Sequence, residues 1–385
     1  MNGKTLAIAL PFPGIWDAGD AASILAKTIR SVDRSIGNTD LISVPWLDGA
    51  RGTMDFLVTN ALGSFLEVEA TGATGEDIVA PIGFAGEDGK LAVIEMSRVS
   101  GVSEPGQTGT TAGIGELIQD ALDEGAFSIL LCHEEPLACD AGLGAAAALG
   151  VRFYDDQEKE IDVSHSNDGS ILSRIARVDG SNRSFALLSS RLFIARASSV
   201  EKSTLSPKLL EELRGLADIV RRDTGIRPPL ENLSISAVEF GLCGLLGAEV
   251  RDGHALVLEA SRMEQAIERG EFSELILLAY SISELESPPL QKFLDLLRAK
   301  IDRRSLILWE PISKIDADRA LYEPIHSLAD VAIFQAPIGA NAGIEERRRD
   351  FGMRLEKLMP NVLAALREET PQSPAKAKSS RGSHA

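Results

Sequence analysis

Thr5-Leu6-Ala7-Ile8-Ala9-Leu10 is a short apolar run, and the stretch Ala18 to Ile36 after it carries Ala22, Leu25, Ala26 and Ile29 at helical spacing. Leu41 to Val44 is a second apolar run, and Thr53 to Leu62 a second helical pattern. Short apolar runs bounded by turn residues read as buried strands, and strands alternating with helices build a parallel sheet covered by helices. The texture then changes. Phe65 to Ala70, Ile78 to Phe84 and Leu91 to Met96 read as three successive strands, joined by Gly-rich turns such as Gly86-Glu87-Asp88-Gly89. Strands that follow one another without helices belong to a different sheet, which places a domain boundary near Phe65.

Further along, Thr111 to Glu124 reads as a helix, Ser128 to Cys132 as a strand and Asp140 to Leu149 as an Ala-rich helix. Asp155 to Asn182 is polar and reads as loop-rich, and Pro207 to Arg222 as an amphipathic helix. Glu274 to Ala279, Ser305 to Trp309 and Val331 to Phe334 are strands alternating with helices, and a last helix runs from about Glu345 to Arg367. The closing units return to the style of the N-terminus and complete its sheet. The expected fold is therefore α/β with two domains. Residues 1–65 and 272–367 form a Rossmann-like parallel-sheet domain, 66–271 an inserted second α/β domain, and 368–385 a disordered tail rich in Pro, Ser, Lys and Ala.

Composition fits this class and excludes others. A chain of 385 residues is too long for one comfortable core, and 34 glycines suit the tight strand-to-helix turns of an α/β protein. The net charge of −18, with no basic cluster, argues against binding nucleic acid or an anionic membrane surface. It also makes an anionic substrate harder to attract unless a cation or a local basic pocket compensates. Three cysteines (Cys132, Cys139, Cys243) and five scattered histidines give neither a disulfide framework nor a metal-ligand spacing. The apolar run Leu6 to Leu10 is too short for a signal segment or a membrane span, so a cytoplasmic protein is expected.

Several stretches resemble the bacterial two-domain glycerate 2-kinases. Val44-Pro45-Trp46-Leu47-Asp48-Gly49-Ala50-Arg51-Gly52-Thr53 is similar to that family's Val-Pro-Met-Ala-Asp-Gly-Gly-Glu-Gly-Thr. Glu67 to Gly75, Ile94-Glu95-Met96 with Ser100-Gly101, Gly113 to Ile118, Leu149 to Phe153 and Leu246 to Glu249 follow in the family's order, over roughly the first two-thirds of the chain. The resemblance implies transfer of the γ-phosphoryl of Mg-ATP to a hydroxyl of D-glycerate, chemistry that needs a cation-rich phosphate cradle. It implies Asp48 and Asp140 as catalytic residues in a common groove between the domains, and Gly49, Gly52, Thr53, Gly142 and Gly144 as substrate or phosphate contacts. Arg51 replaces a family glutamate and joins them as a cation able to hold a carboxylate or phosphate.

The chain departs from the family where phosphate is handled. The family's Gly-Gly-Ser-Ala-Thr-Asn-Asp-Gly-Gly-Ala-Gly aligns with Glu134-Glu135-Pro136-Leu137-Ala138-Cys139-Asp140-Ala141-Gly142-Leu143-Gly144, so two glycines are carboxylates and a serine is a proline without an N–H. Pro11-Phe12-Pro13-Gly14-Ile15-Trp16 lacks the lysine of the family's first loop. The family's Gly-Glu-Gly turn becomes Ala279-Tyr280-Ser281, and its Cys-Asp-Val-Asp-Asn-Pro-Leu becomes Ile194 to Val200, without either acid. A glycine-dense run has shrunk to Ala237-Val238-Glu239-Phe240-Gly241.

Each singled-out residue thus has two readings. Asp48 orients the glycerate hydroxyl or a metal, or it caps the helix that follows. Arg51 holds an anion or makes a surface ion pair. Asp140 acts in catalysis or caps the helix after it. Glu134 and Glu135 chelate a cation or are solvated. His133 is an acid/base or metal group, or a lone histidine without a second in reach. Cys132 and Cys139 are reactive thiols or buried small hydrophobes, and Trp16 and Trp46 fill vacated nucleotide space or simply pack. For the whole protein the alternatives are an Mg-ATP-dependent kinase, a non-catalytic relative that binds a small molecule in the interdomain cleft or a protein partner, and a different enzyme built on His133-Glu134-Glu135. A homodimer is an open assembly state.

Overall fold

The computed structural model describes residues 4–12, 16–37, 40–86, 89–164, 171–197, 200, 205–280, 288–301, 303–308, 331–334 and 343–367. The expectations for Pro13 to Ile15, Ser198, Ser199, Ser281 and the tail 368–385 lie outside them. The chain forms two compact units, one from residues 1–44, 270–285 and 297–385, the other from 45–269 and 286–296.

In the first unit β1 (Lys4–Ala9) pairs in parallel with β11 (Phe272–Ala279), Leu6 against Leu275 and Ile8 against Leu277. The sheet continues through β12 (Arg303–Leu308) to β13 (Val331–Phe334), both parallel, and β2 (Leu41–Pro45) lies on the other side of β1. The first apolar run thus meets a partner some 270 residues away in sequence, as expected of a discontinuous Rossmann-like domain. The helices Ala18–Val32 and Ile344–Arg367 pack on this sheet. Ala7, Ala9, Ile276, Leu278 and Ile307 meet Leu25, Ile29, Phe351, Leu355 and Met359 in one buried cluster. Alternation along each strand puts these residues on one face. Asp17 starts the first helix by accepting the Asp20 N–H at 2.8 Å, an ordinary aspartate cap.

The second unit holds a mixed six-stranded sheet in the order β10-β9-β6-β5-β4-β3. β3 (Ser64–Thr71) pairs antiparallel with β4 (Asp77–Ala85), and β4 antiparallel with β5 (Leu91–Glu95). β5, β6 (Ser128–His133), β9 (Arg191–Arg196) and β10 (Glu249–Asp252) are parallel. The helices Ala112–Asp123 and Leu143–Ala148 close one face over Ile94, Ile129, Leu131 and Ile194. The helix Thr53–Asn60 sits on β4, where a Cβ on Gly83 would come within 2.6 Å of Met54 and Val58 side chains. The polar stretch after Leu149 contains a small antiparallel pair, β7 (Arg152–Tyr154) with β8 (Arg177–Asp179). The protein is thus α/β, with a second α/β domain inserted into a Rossmann-like parallel-sheet domain. Among the described residues no helix is long and apolar enough to cross a membrane.

Candidate functional site

The parallel half of the second sheet brings Glu95, Cys132 with His133, Arg196 and Asp252 into one row, through the pairings Glu95–Cys132, His133–Arg196 and Arg196–Asp252. This row is the carboxyl edge, where open α/β sheets gather their ligands. The turn from Trp46 to Thr53 lies across it. Gly49 has φ +90° and its missing Cβ would stand 2.6 Å from the Ala195 carbonyl oxygen, so only glycine fits there. His254 Nδ1 lies 3.0 Å from the Leu47 carbonyl oxygen, and Trp46 stacks on His254 with centroids 4.7 Å apart. Trp46 is therefore a packing residue.

Asp48 is half-buried on this turn and accepts the Ala50 N–H at 3.3 Å. The reading of Asp48 as the helix cap is corrected: the chain passes through Gly52 in the left-handed region, φ 90°, and Gly52 is the cap. The first N–H groups of that helix turn instead to Glu95, which is 2% exposed. Its Oε1 accepts from Gly52 N at 2.8 Å and Met54 N at 3.2 Å, and its Oε2 from Arg98 Nε at 2.7 Å. Arg98 Nη2 also reaches Asp55 at 3.2 Å. Thr53 is buried and its hydroxyl donates to the Ala50 carbonyl at 2.7 Å. Arg51 extends an exposed side chain, while its N–H donates to Glu134 Oε2 at 3.2 Å.

Burial pushes the Glu134 carboxyl above its ordinary range. The Arg51 N–H and charge oppose this, and the nearby charges of Glu95 and Asp48 add to it. Asp48, Glu95 and Glu134 are therefore one electrostatic group. Cys132 lies beneath them, and burial, then those same carboxylates, raise its thiol well above the usual value. Burial likewise pushes Cys139 and Cys243 up to about 12. All three thiols stay protonated and behave as small hydrophobes.

Asp140 sits in a separate, closed cluster with Gly142 and Gly144. It is 1% exposed and accepts from Thr111 N (2.7 Å), Thr111 Oγ1 (2.9 Å), Gly142 N (2.8 Å) and Gly144 N (3.0 Å). Burial raises its pKa despite these bonds. The carboxylate caps the helix Leu143–Ala148 and ties it to the start of the helix Ala112–Asp123.

The group least visible in the sequence surrounds His133. The ring is fully buried, with Nε2 3.5 Å from Glu135 Oε1 and Nδ1 3.5 Å from Glu239 Oε1. Glu135 accepts from Leu137 N at 2.7 Å and Ser236 Oγ at 2.8 Å. Burial opposes its ionisation, but His133, Ser236 and the Leu137 N–H outweigh burial and lower the carboxyl to about 2. Glu239, 1% exposed, is bonded by Arg196 Nη2, Ser234 Oγ at 2.8 Å and Ser234 N at 3.1 Å. Glu135, Arg196 and Glu239 come from three separate departures from the family pattern, and only the fold shows that they meet. Among the described residues no group of three His, Cys, Asp or Glu side chains is arranged to hold a metal ion. A cavity of about 460 Å³ lies elsewhere in this unit, between the helices Ala112–Asp123 and Leu143–Ala148 and residues 151–164. Its polar lining is paired internally: Glu116 accepts from the Thr71 N–H and hydroxyl, Arg152 meets Glu160 at 3.2 Å, and the Ser164 hydroxyl donates to Asp162.

The profile described as the glycerate kinase family matches residues 8–201. The chain belongs to the glycerate kinase family. It is 35% identical over 153 residues to a glycerate kinase of Haemophilus influenzae, covering 38% of this chain and 39% of that one. It is 35% identical over 157 residues to the glycerate 2-kinase of Escherichia coli K12, covering 39% and 41%. With a glycerate kinase of Halalkalibacterium halodurans it shares 28% identity over 284 residues, 66% of this chain and 71% of that one. For the first two relatives the match thus spans less than half of their length. A solved structure of a Salmonella typhimurium LT2 protein, assigned as a glycerate kinase 2, has the same fold at TM-score 0.69 and 20% identity, covering 95% of this chain and all of that one.

Proposed function

We propose that this glycerate kinase-family protein binds a small ligand at the carboxyl edge of its second sheet without transferring a phosphoryl group from ATP. The observation that carries the reading is the loop after β6. It turns two carboxylates inward, Glu134 onto the Arg51 N–H and Glu135 onto Ser236 and the Leu137 N–H. A phosphate placed there would meet two anions, each opposing it by about 1 kcal/mol at 4 Å even at the dielectric of water. Family membership implies Mg-ATP, but these residues do not fit it. Of the arginines at this edge, Arg98 is engaged by Glu95 and Asp55, and Arg196 by Glu239. A glycine loop offers N–H groups to phosphate, whereas this loop offers acceptors.

The competing reading is ATP-dependent phosphorylation of D-glycerate. It draws on the turn from Asp48 to Thr53, with Asp48 half-buried and Arg51 exposed beside it. Separate calorimetric titrations with Mg-ATP and with D-glycerate, and a turnover assay with both, decide between them. The expected result is Mg-ATP binding no tighter than the millimolar range, the consequence of two or three lost charge-assisted hydrogen bonds at about 1.5–3 kcal/mol each. Micromolar Mg-ATP binding together with ATP-dependent phosphorylation of glycerate overturns the proposal.

A further inference from the structure

The donors around Glu135 form a coherent set. The Leu137 N–H reaches Oε2 at 2.7 Å, while the Ser236 hydroxyl and N–H reach Oε1 at 2.8 and 3.3 Å. His133 Nε2 faces Oε1 from 3.5 Å, and neither ring nitrogen of this fully buried histidine has a hydrogen-bond partner. Backbone N–H groups, a hydroxyl and an imidazole converging on one point, away from water, are what binds a small oxyanion. Glu239 faces the other ring nitrogen from 3.5 Å, and is itself held by Arg196 and Ser234. Ser234 and Ser236 share a hydrogen bond of 3.0 Å, so the far wall is one braced turn. The Glu135 side chain is 14% exposed, which leaves it a way out toward solvent.

We propose that Glu135 is the built-in occupant of an oxyanion pocket formed by the Leu137 N–H, Ser236 and His133, and that a carboxylate or phosphate group of a ligand reaches these donors only by displacing it. The proposal sharpens the function argued above and rests on that reading for the side from which a ligand arrives. A tethered carboxylate competes as if present at millimolar concentration or more, so the unmodified protein binds free anions weakly.

The test removes the tenant. Glu135→Ala is titrated with sodium formate and, separately, with inorganic phosphate at constant ionic strength, following calorimetry and the thermal midpoint. Saturable binding about tenfold tighter than in the unmodified protein is expected, the effect of removing one charged competitor. It should weaken again in Glu135→Ala/Ser236→Ala. A response to formate alone supports a carboxylate pocket, and a response to phosphate supports room for the larger anion. A folded Glu135→Ala with no response to either overturns the proposal. If the variant does not fold unaided, its refolding yield in formate or phosphate is compared with that in chloride. Recovery only with an oxyanion supports the pocket, and equal recovery in all three overturns it. Micromolar Mg-ATP binding by the unmodified protein would defeat the proposed function but leave this readout unaffected.

Discussion

Two helices of the second unit begin at a left-handed glycine, and neither glycine supplies a side-chain cap. At the helix Leu143–Ala148 the missing acceptor comes from Asp140, just upstream, which collects Gly142 N and Gly144 N. At the helix Thr53–Asn60 it comes from Glu95, at the end of a different strand, which collects Gly52 N and Met54 N. The unsatisfied N–H groups of a helix start carry partial positive charge and attract any anion. Here both starts are closed by the protein's own carboxylates. The near cap takes its helix donors from its own loop and adds Thr111 at the start of the helix Ala112–Asp123, whereas the far cap staples the Asp48–Arg51 turn to the sheet edge.

Substitution of the near cap should have the largest effect. Asp140→Ala strands at least three buried donors, each at about 1 kcal/mol or more, so a loss of about 3 kcal/mol is expected in urea unfolding. A loss below that of the far cap would reverse the comparison. Glu95→Gln retains an oxygen for Gly52 and Met54 but removes the charge facing Arg98. A smaller loss of about 1–2 kcal/mol is expected, and ligand binding at the Asp48 turn should weaken because the turn is no longer fixed.

The third contrast is the pH dependence of Glu135, read as the stability difference between the unmodified protein and Glu135→Gln. Its folded pKa, about 2, lies below its ordinary 4.5, so its contribution is fully present above about pH 4.5 and fades as pH falls toward 2. Asp140 and Glu134 have raised values and act with the opposite sign, but they are common to both proteins and cancel in the difference. A gap that does not narrow over that range would show that Glu135 is not ionised and paired in the folded state.

What the sequence revealed follows the reach of each interaction. The apolar runs Leu6 to Leu10 and Glu274 to Ala279 announced strands through composition alone, and the return of the β-α alternation near the C-terminus put them in one sheet. Asp140 was legible as a cap because its donors lie within a few residues, apart from Thr111. Glu95 was not, because the helix N–H groups it caps are 43 and 41 residues away and depend on how the helix Thr53–Asn60 settles on Gly83. The cap reading of Asp48 failed because two left-handed glycines move the helix start past it. The surroundings of His133 required residues 133, 135, 196, 234, 236 and 239 to meet. Their one signal in the sequence was that each of three separate departures from the family pattern introduces a charged residue, Glu135, Arg196 or Glu239.

β3 ends the second sheet on the side away from the site, and Phe65 on β3 and Val79 on β4 remain 48% and 65% exposed. Such a border is a template on which further strands can grow, and apolar side chains along it make growth more favourable. Glu67 and Glu69 are also exposed there, opposite Pro81 and Val79. A second copy laid antiparallel along β3 would bring glutamates toward glutamates, an arrangement that destabilises strand pairing. The like charges of Glu67 and Glu69 thus disfavour self-pairing along this edge, where the apolar Phe65 and Val79 would favour it.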